Sequence, residues 1–98
     1  MGHVDAVGSV RARAPRGDSL WLRIDAPPAV TAVCVPKGSI TVDGVSLTLN
    51  AIDAAGFEVG LIPHTLERTH LGARAEGDRV NLEGDVLGKY VQRLLGTR

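Results

Sequence analysis

Ser46, Thr48 and Asn50 recur at every second position of the segment KGSITVDGVSLTLN, which runs from Lys37 to Asn50. Each is a short side chain able both to donate and to accept a hydrogen bond. In an extended chain a period of two places all three on one face. A strand with one face in solvent normally carries Lys or Glu there. Short donor-acceptor groups suit close contact with a polar ligand instead, so the segment reads as the lining of a pocket. Taken alone, the same hydroxyls also fit a solvent-facing or cross-strand-paired surface. Ile62 and Thr65, on either side of Pro63 and His64, are a second candidate pair. Strand pairing must stop at the proline, which frees backbone groups to meet a ring, although a capped helix start with a core isoleucine fits equally.

Other residue types that could do chemistry are less promising. His64 and His70 lie six residues apart on a short helical segment without carboxylate or cysteine partners at ligand spacing, so no metal site is expected. Arg11, Arg13 and Arg16 form a local basic cluster without interleaved aromatics and read as a strand face and turn. Asp43 reads as a turn former. Cys34, the single cysteine, excludes an internal disulfide and fits a reducing compartment.

The elements that must position the hydroxyls follow from the same segment. Ile40, Val42, Val45, Leu47 and Leu49 alternate on both sides of Asp43-Gly44, the dipeptide of a two-residue hairpin turn. Ala54-Ala55-Gly56 turns the second strand into a third, Phe57 to Ile62, making a meander. Upstream, His3 to Ala14 alternates loosely, Pro15 to Asp18 is a turn, and Ser19 to Ala26 is a strand with Leu20, Leu22 and Ile24 on one face. Pro27-Pro28 precedes a helical turn within Ala29 to Val35. Downstream, Thr65 caps a helix from Leu66 to Leu71 that Gly72 closes in the left-handed conformation, and Arg79 to Glu83 is the last strand. Asp85 stands where an N-cap belongs, before an amphipathic helix from Val86 to Leu95. The expected fold is all-β: a six-stranded antiparallel Greek-key barrel with short helices and a C-terminal helix.

Ninety-eight residues suit one domain, and 44% apolar residues with only three aromatics predict a largely aliphatic core. Eleven basic and eleven acidic residues cancel, which argues against a nucleic-acid partner. No signal-like or membrane-length apolar run is found, so a cytoplasmic protein without membrane contact is expected.

Four blocks then carry a family resemblance: GHVD from Gly2, KGSITVDGVSLT from Lys37, LIPHTLERTHLG from Leu61 and GDRVNLEGDVLGKYVQRLL from Gly77. In order and spacing they resemble the C-terminal barrel of riboflavin synthase, across nearly the whole chain. That family carries two homologous barrels per chain, whereas no internal repeat occurs here, so a truncated piece or a naturally single-barrel relative is expected. The resemblance implies binding of 6,7-dimethyl-8-ribityllumazine or riboflavin, and a part in the dismutation of two lumazines to riboflavin and a pyrimidinedione. It implies no cofactor and no metal. Ser46, Thr48, Ile62 and Thr65 are the implied substrate contacts. His3, Lys37 and Asp85 match positions near the reaction centre, where a proton leaves the lumazine 7-methyl group. Each keeps a plain alternative: a frayed terminus for His3, a solvated turn charge for Lys37 and a helix cap for Asp85. The family site lies between barrels, so a homo-oligomer or a partner barrel is expected. A non-catalytic flavin- or lumazine-binding module and an assembly domain with an empty pocket are the alternatives.

Overall fold

This computed structural model describes residues 6–84. Its strands are β1 Ala6–Arg16, β2 Ser19–Asp25, β3 Ser39–Val42, β4 Val45–Asp53, β5 Gly56–Leu61 and β6 Arg79–Gly84. They close into a barrel in the order β1-β2-β5-β4-β3-β6, and all neighbours are antiparallel. Because β2 pairs with β5 and β3 with β6, the topology is a Greek key rather than up-and-down. The expected barrel and the β3-β4-β5 meander are therefore present. The expected helix from Val86 to Leu95 lies outside the described residues.

Alternation fills the interior. Leu20, Leu22 and Ile24 of β2, Phe57, Val59 and Leu61 of β5, and Leu47 and Leu49 of β4 are all buried. Ile40 and Val42 of β3, Val80 and Leu82 of β6 and Val10 of β1 complete the ring. Each such side chain contributes about 1.5–3 kcal/mol relative to exposure. As the composition predicts, the described core holds one aromatic ring, Phe57, among aliphatic side chains.

Two bulges interrupt the alternation. In β1, Val10 opposes Ile24 and Ala12 opposes Arg23, which leaves Arg11 as an extra residue. One extra residue reverses the parity of a strand. Beyond it, Ala14 and Arg16 share the outer face with their partners Trp21 and Ser19. In β4, Leu49 opposes Val59 and Ala51 opposes Glu58, so Asn50 is the extra residue.

The turns refine the expected boundaries. Asp43 and Gly44 both have positive φ, 49° and 83°, the signature of a type I′ hairpin turn. The expected turn from Pro15 to Asp18 contracts to Gly17-Asp18, because Pro15 and Arg16 stay in register opposite Leu20 and Ser19. Proline is tolerated there since the outer edge of β1 is paired with β6 up to Ser9 and with the turn before β6 at Val10, and among the described residues no strand pairs with that edge beyond. The first helix, α1, is the single turn Pro28–Thr31 and buries Val30.

The second helix corrects the sequence reading. It spans Pro63–Arg68 (α2), with Ile62 at the N-cap, Pro63 in the first turn and no side-chain cap. Thr65 thus lies inside the helix: a proline pre-set to helical φ starts it earlier than a threonine cap could. Nor does Gly72 close it in a left-handed conformation. The C-cap is Thr69 in extended backbone, and Gly72 sits in a separate 3-10 turn, Leu71–Ala73, without positive φ. What Gly72 meets is crowding, since a Cβ there would come within 2.8 Å of Leu66 Cδ2. Among the described residues no helix is long and apolar enough to cross a membrane.

Candidate functional site

The outer faces of β4, β5 and β2 and the start of α2 enclose a cleft of about 330 Å³. Its lining includes Ser46, Thr48, Ile62 and Thr65, the four substrate-contact candidates named from the sequence. The elements explain why they meet. Ser46 and Thr48 point outward because Leu47 and Leu49 point into the barrel. Ile62 follows the last residue of β5 and precedes Pro63, so it leaves the sheet at the cleft rim and is 57% exposed. Thr65 comes one helical turn later and is half-buried.

Ser19, Leu47, Asn50 and Gly60 complete the lining, and of these the sequence places only Asn50 on a pocket-lining face. Two of them carried a signal. Asn50 was already on the face of Ser46 and Thr48, and the β4 bulge keeps it there. Gly60 is an isolated glycine inside a strand, a common mark of close approach by another group. It pairs with Trp21 across β2 and β5, and a Cβ on it would sit 3.5 Å from Asn50 Nδ2, in ordinary contact. The fold therefore tolerates a Cβ at this position, and its absence widens the cleft floor.

The hydroxyls of Ser19, Ser46, Thr48 and Thr65 and the carboxamide of Asn50 make no hydrogen bond to another described residue. Five uncommitted donor-acceptor groups thus border an exposed isoleucine. Such a surface can grip a flat heteroaromatic ring by its edges while also meeting a chain of hydroxyls.

Of the three candidates for proton chemistry, Lys37 is the one among the described residues. Lys37 is exposed and has a positive φ of 66°. Its backbone N–H donates to the Leu49 carbonyl at 3.3 Å, and the Leu49 N–H donates to the Gly38 carbonyl at 2.8 Å. The Lys37 backbone is thereby tied to β4 beside Thr48, while its side chain does not line the cleft. His3 and Asp85 lie outside the described residues.

Polar groups elsewhere are mostly committed. Asp43 accepts from the Asn81 N–H through Oδ1 at 2.7 Å, and from Arg74 through Oδ2 at 3.1 and 2.8 Å. It is therefore a corner tie as well as the turn former the sequence suggests. Asp53 is held below its ordinary carboxylate value by a hydrogen bond from Arg23 and by backbone N–H groups, and Arg23 is raised in return. Cys34 is half-buried, its thiol donates to the Val30 carbonyl at 3.3 Å, and burial pushes that thiol up. A larger concavity of about 460 Å³ lies between the start of β1 and the end of β2. Among the described residues its one carboxylate, Asp25, is already engaged by Arg11.

A closed Greek-key barrel bearing a polar cleft on its outer face is the class that fold and site define. Residues 1–85 match the lumazine binding domain family, and the chain belongs to that family. A riboflavin synthase of Mycobacterium tuberculosis is 53% identical over 98 residues, covering 97% of this chain and 49% of that protein. One from Actinobacillus pleuropneumoniae is 43% identical over 94 residues, covering 96% of this chain and 44% of that protein. The chain thus spans about half the length of the curated relatives it matches. Among solved structures, LumP complexed with 6,7-dimethyl-8-(1'-D-ribityl) lumazine aligns with TM-score 0.78 at 23% identity, covering 86% of this chain and 46% of LumP. LumP complexed with flavin mononucleotide aligns with TM-score 0.80 at 22% identity, covering 87% and 48%. At these identities the likeness is one of fold.

Proposed function

We propose that this barrel binds 6,7-dimethyl-8-ribityllumazine or riboflavin in the outer-face cleft and forms one half of a riboflavin synthase active site. The observation that carries the reading is the convergence of Ser46, Thr48, Ile62 and Thr65 on one cleft. Ile62 supplies an apolar wall for the ring. The hydroxyls of Ser46, Thr48 and Thr65 serve its carbonyl and nitrogen edge or the ribityl chain, since each can take either role.

Catalysis in this reading moves a four-carbon unit from one lumazine to a second, held by another barrel facing this one. Riboflavin and a pyrimidinedione result. The exposed Ile62 supports a cleft that is completed from outside, by a second copy or a partner barrel. His3 is the proposed base for the 7-methyl proton, with Lys37 and Asp85 stabilising charge as it develops. A cytoplasmic setting accompanies the proposal and accords with Cys34 as a free thiol.

A second reading is a binding module without turnover. Lys37 standing outside the cleft lining favours it.

Fluorescence titration with ribityllumazine and with riboflavin tests binding, and the appearance of riboflavin from lumazine tests turnover. Binding of both ligands with slow product formation is the expected result. No spectral change with either ligand overturns both readings, and binding without product leaves the second.

A further inference from the structure

The ligand cleft does not end at Asn50. A second arm of about 270 Å³ shares Ser19, Asn50 and Gly60 with it and continues to Trp21 and Arg16. The two arms cross four neighbouring strands, β4, β5, β2 and β1, which at ~4.8 Å per strand is roughly 14 Å of continuous surface.

Arg16 reaches this surface only because of the bulge at Arg11, which reverses parity and sets Arg16 opposite Ser19 on the outer face. Its two cluster mates are committed elsewhere: Arg11 holds both Asp25 oxygens at 3.0 and 2.9 Å, and Arg13 donates to the Gly72 carbonyl at 2.9 Å. The Arg16 guanidinium instead lies 5.2 Å from the centroid of the Trp21 ring. Stacking holds the cation in place while leaving its N–H groups unspent. The ring beneath is fixed in turn, its Nε1–H donating to Glu58 Oε1 at 2.9 Å. Among the described residues no carboxylate comes within ion-pair distance of Arg16.

We propose that this second arm is an anion subsite, which seats the phosphate monoester at the end of a phosphorylated ribityl chain. The ring lies by Ile62, Ser46 and Thr48, the polyol passes Ser19 and Asn50, and the phosphate meets Arg16 through charge-assisted, fork-shaped hydrogen bonds. The barrel then prefers flavin mononucleotide to riboflavin. This deepens the binding reading above and rests on it.

The test compares fluorescence titrations of the unmodified chain with riboflavin and with flavin mononucleotide, then repeats them on Arg16→Gln and Arg16→Lys. Flavin mononucleotide should bind about tenfold tighter, a gap of ~1.4 kcal/mol. Arg16→Gln should abolish the gap without moving riboflavin affinity, and Arg16→Lys should keep part of it. Raising the ionic strength should erode the preference and leave riboflavin binding unchanged. Equal affinities in the unmodified chain, or a preference that survives Arg16→Gln, overturns the anion subsite while the binding reading stands. Failure of both ligands to bind overturns the two together.

Discussion

The two ends of the β3–β4 hairpin carry polar side chains with opposite fates. At the turn, both Asp43 carboxylate oxygens have partners in Arg74 and the Asn81 backbone, and the Asp43 N–H donates to the Asn81 carbonyl at 2.8 Å. A few residues along β4, the Ser46 and Thr48 hydroxyls and the Asn50 carboxamide have no partner among the described residues. Both come from one fourteen-residue stretch of sequence, but Asp43 is an acceptor-only carboxylate whereas the other three side chains donate as well as accept. Satisfied groups at the turn tie β3, β4 and β6 to the loop after α2. The uncommitted ones lie beside an exposed isoleucine, where a ligand can complete their hydrogen bonds.

Asp43→Ala is the strongest test of that contrast. It removes the charge-assisted bonds to Arg74 and leaves the Asn81 N–H without its side-chain acceptor. It also puts alanine at a φ of 49°, which aspartate tolerates better. A stability loss of about 2–3 kcal/mol in urea unfolding is expected, with the denaturant slope unchanged. Flavin affinity of the folded fraction should stay the same. A loss below ~0.5 kcal/mol would show the corner to be ornamental, and a loss of ligand binding alone would merge the two ends.

Thr48→Ala is the reciprocal test. Removing one neutral hydrogen bond to the ligand should cost roughly 0.5–1.5 kcal/mol of binding, or about 2- to 12-fold in Kd. Thermal stability should stay within ~0.5 kcal/mol, since the exposed hydroxyl has no described protein partner to lose. Unchanged affinity in fluorescence titration would place Thr48 outside the contact.

Much of this contrast was legible in the sequence, because period two and the Asp-Gly dipeptide are local signals that the barrel leaves intact. Which residues face in and which face out along β3, and along β4 as far as its bulge at Asn50, follows from them directly, and so does the shared face of Ser46 and Thr48. The start of α2 was misread since two local signals compete there, and Pro63 at the first turn prevails over Thr65 as a cap. Gly72 was misread because what it meets is the tip of the Leu66 side chain, which a Cβ would have to displace, a tertiary fact with no local mark. The second arm of the cleft was hidden for a similar reason. A bulge at Arg11 cannot be seen in a loosely alternating strand, and without it Arg16 would fall on the other face from Trp21. Asn50 and Gly60 carried partial marks that gain meaning only once β4, β5 and β2 lie side by side.

The smallest expected effect compares the two aspartates that flank β4. Asp53, on the β4–β5 turn, accepts through Oδ1 from Arg23 at 2.8 Å and from the Ala55 and Gly56 N–H groups at 2.8 and 3.0 Å, three bonds like those of Asp43 but all on one oxygen. The larger difference is exposure, 58% of the side chain against 16%. Water screens the exposed pair, so satisfaction alone should contribute little where burial is missing. The Asp53 carboxyl is lowered in the folded state, first by Arg23 and then by the backbone donors. Its stabilisation is therefore fully present above the ordinary value of 3.8 and is lost as pH falls through the lowered folded value. Asp53→Asn should thus unfold slightly earlier than the parent in urea at neutral pH. The gap should close in acid well below that value, where the parent carboxyl is itself protonated. A gap that persists in acid would assign the effect to turn geometry rather than charge. A gap at neutral pH as large as that of Asp43→Ala would refute burial as what separates the two corners.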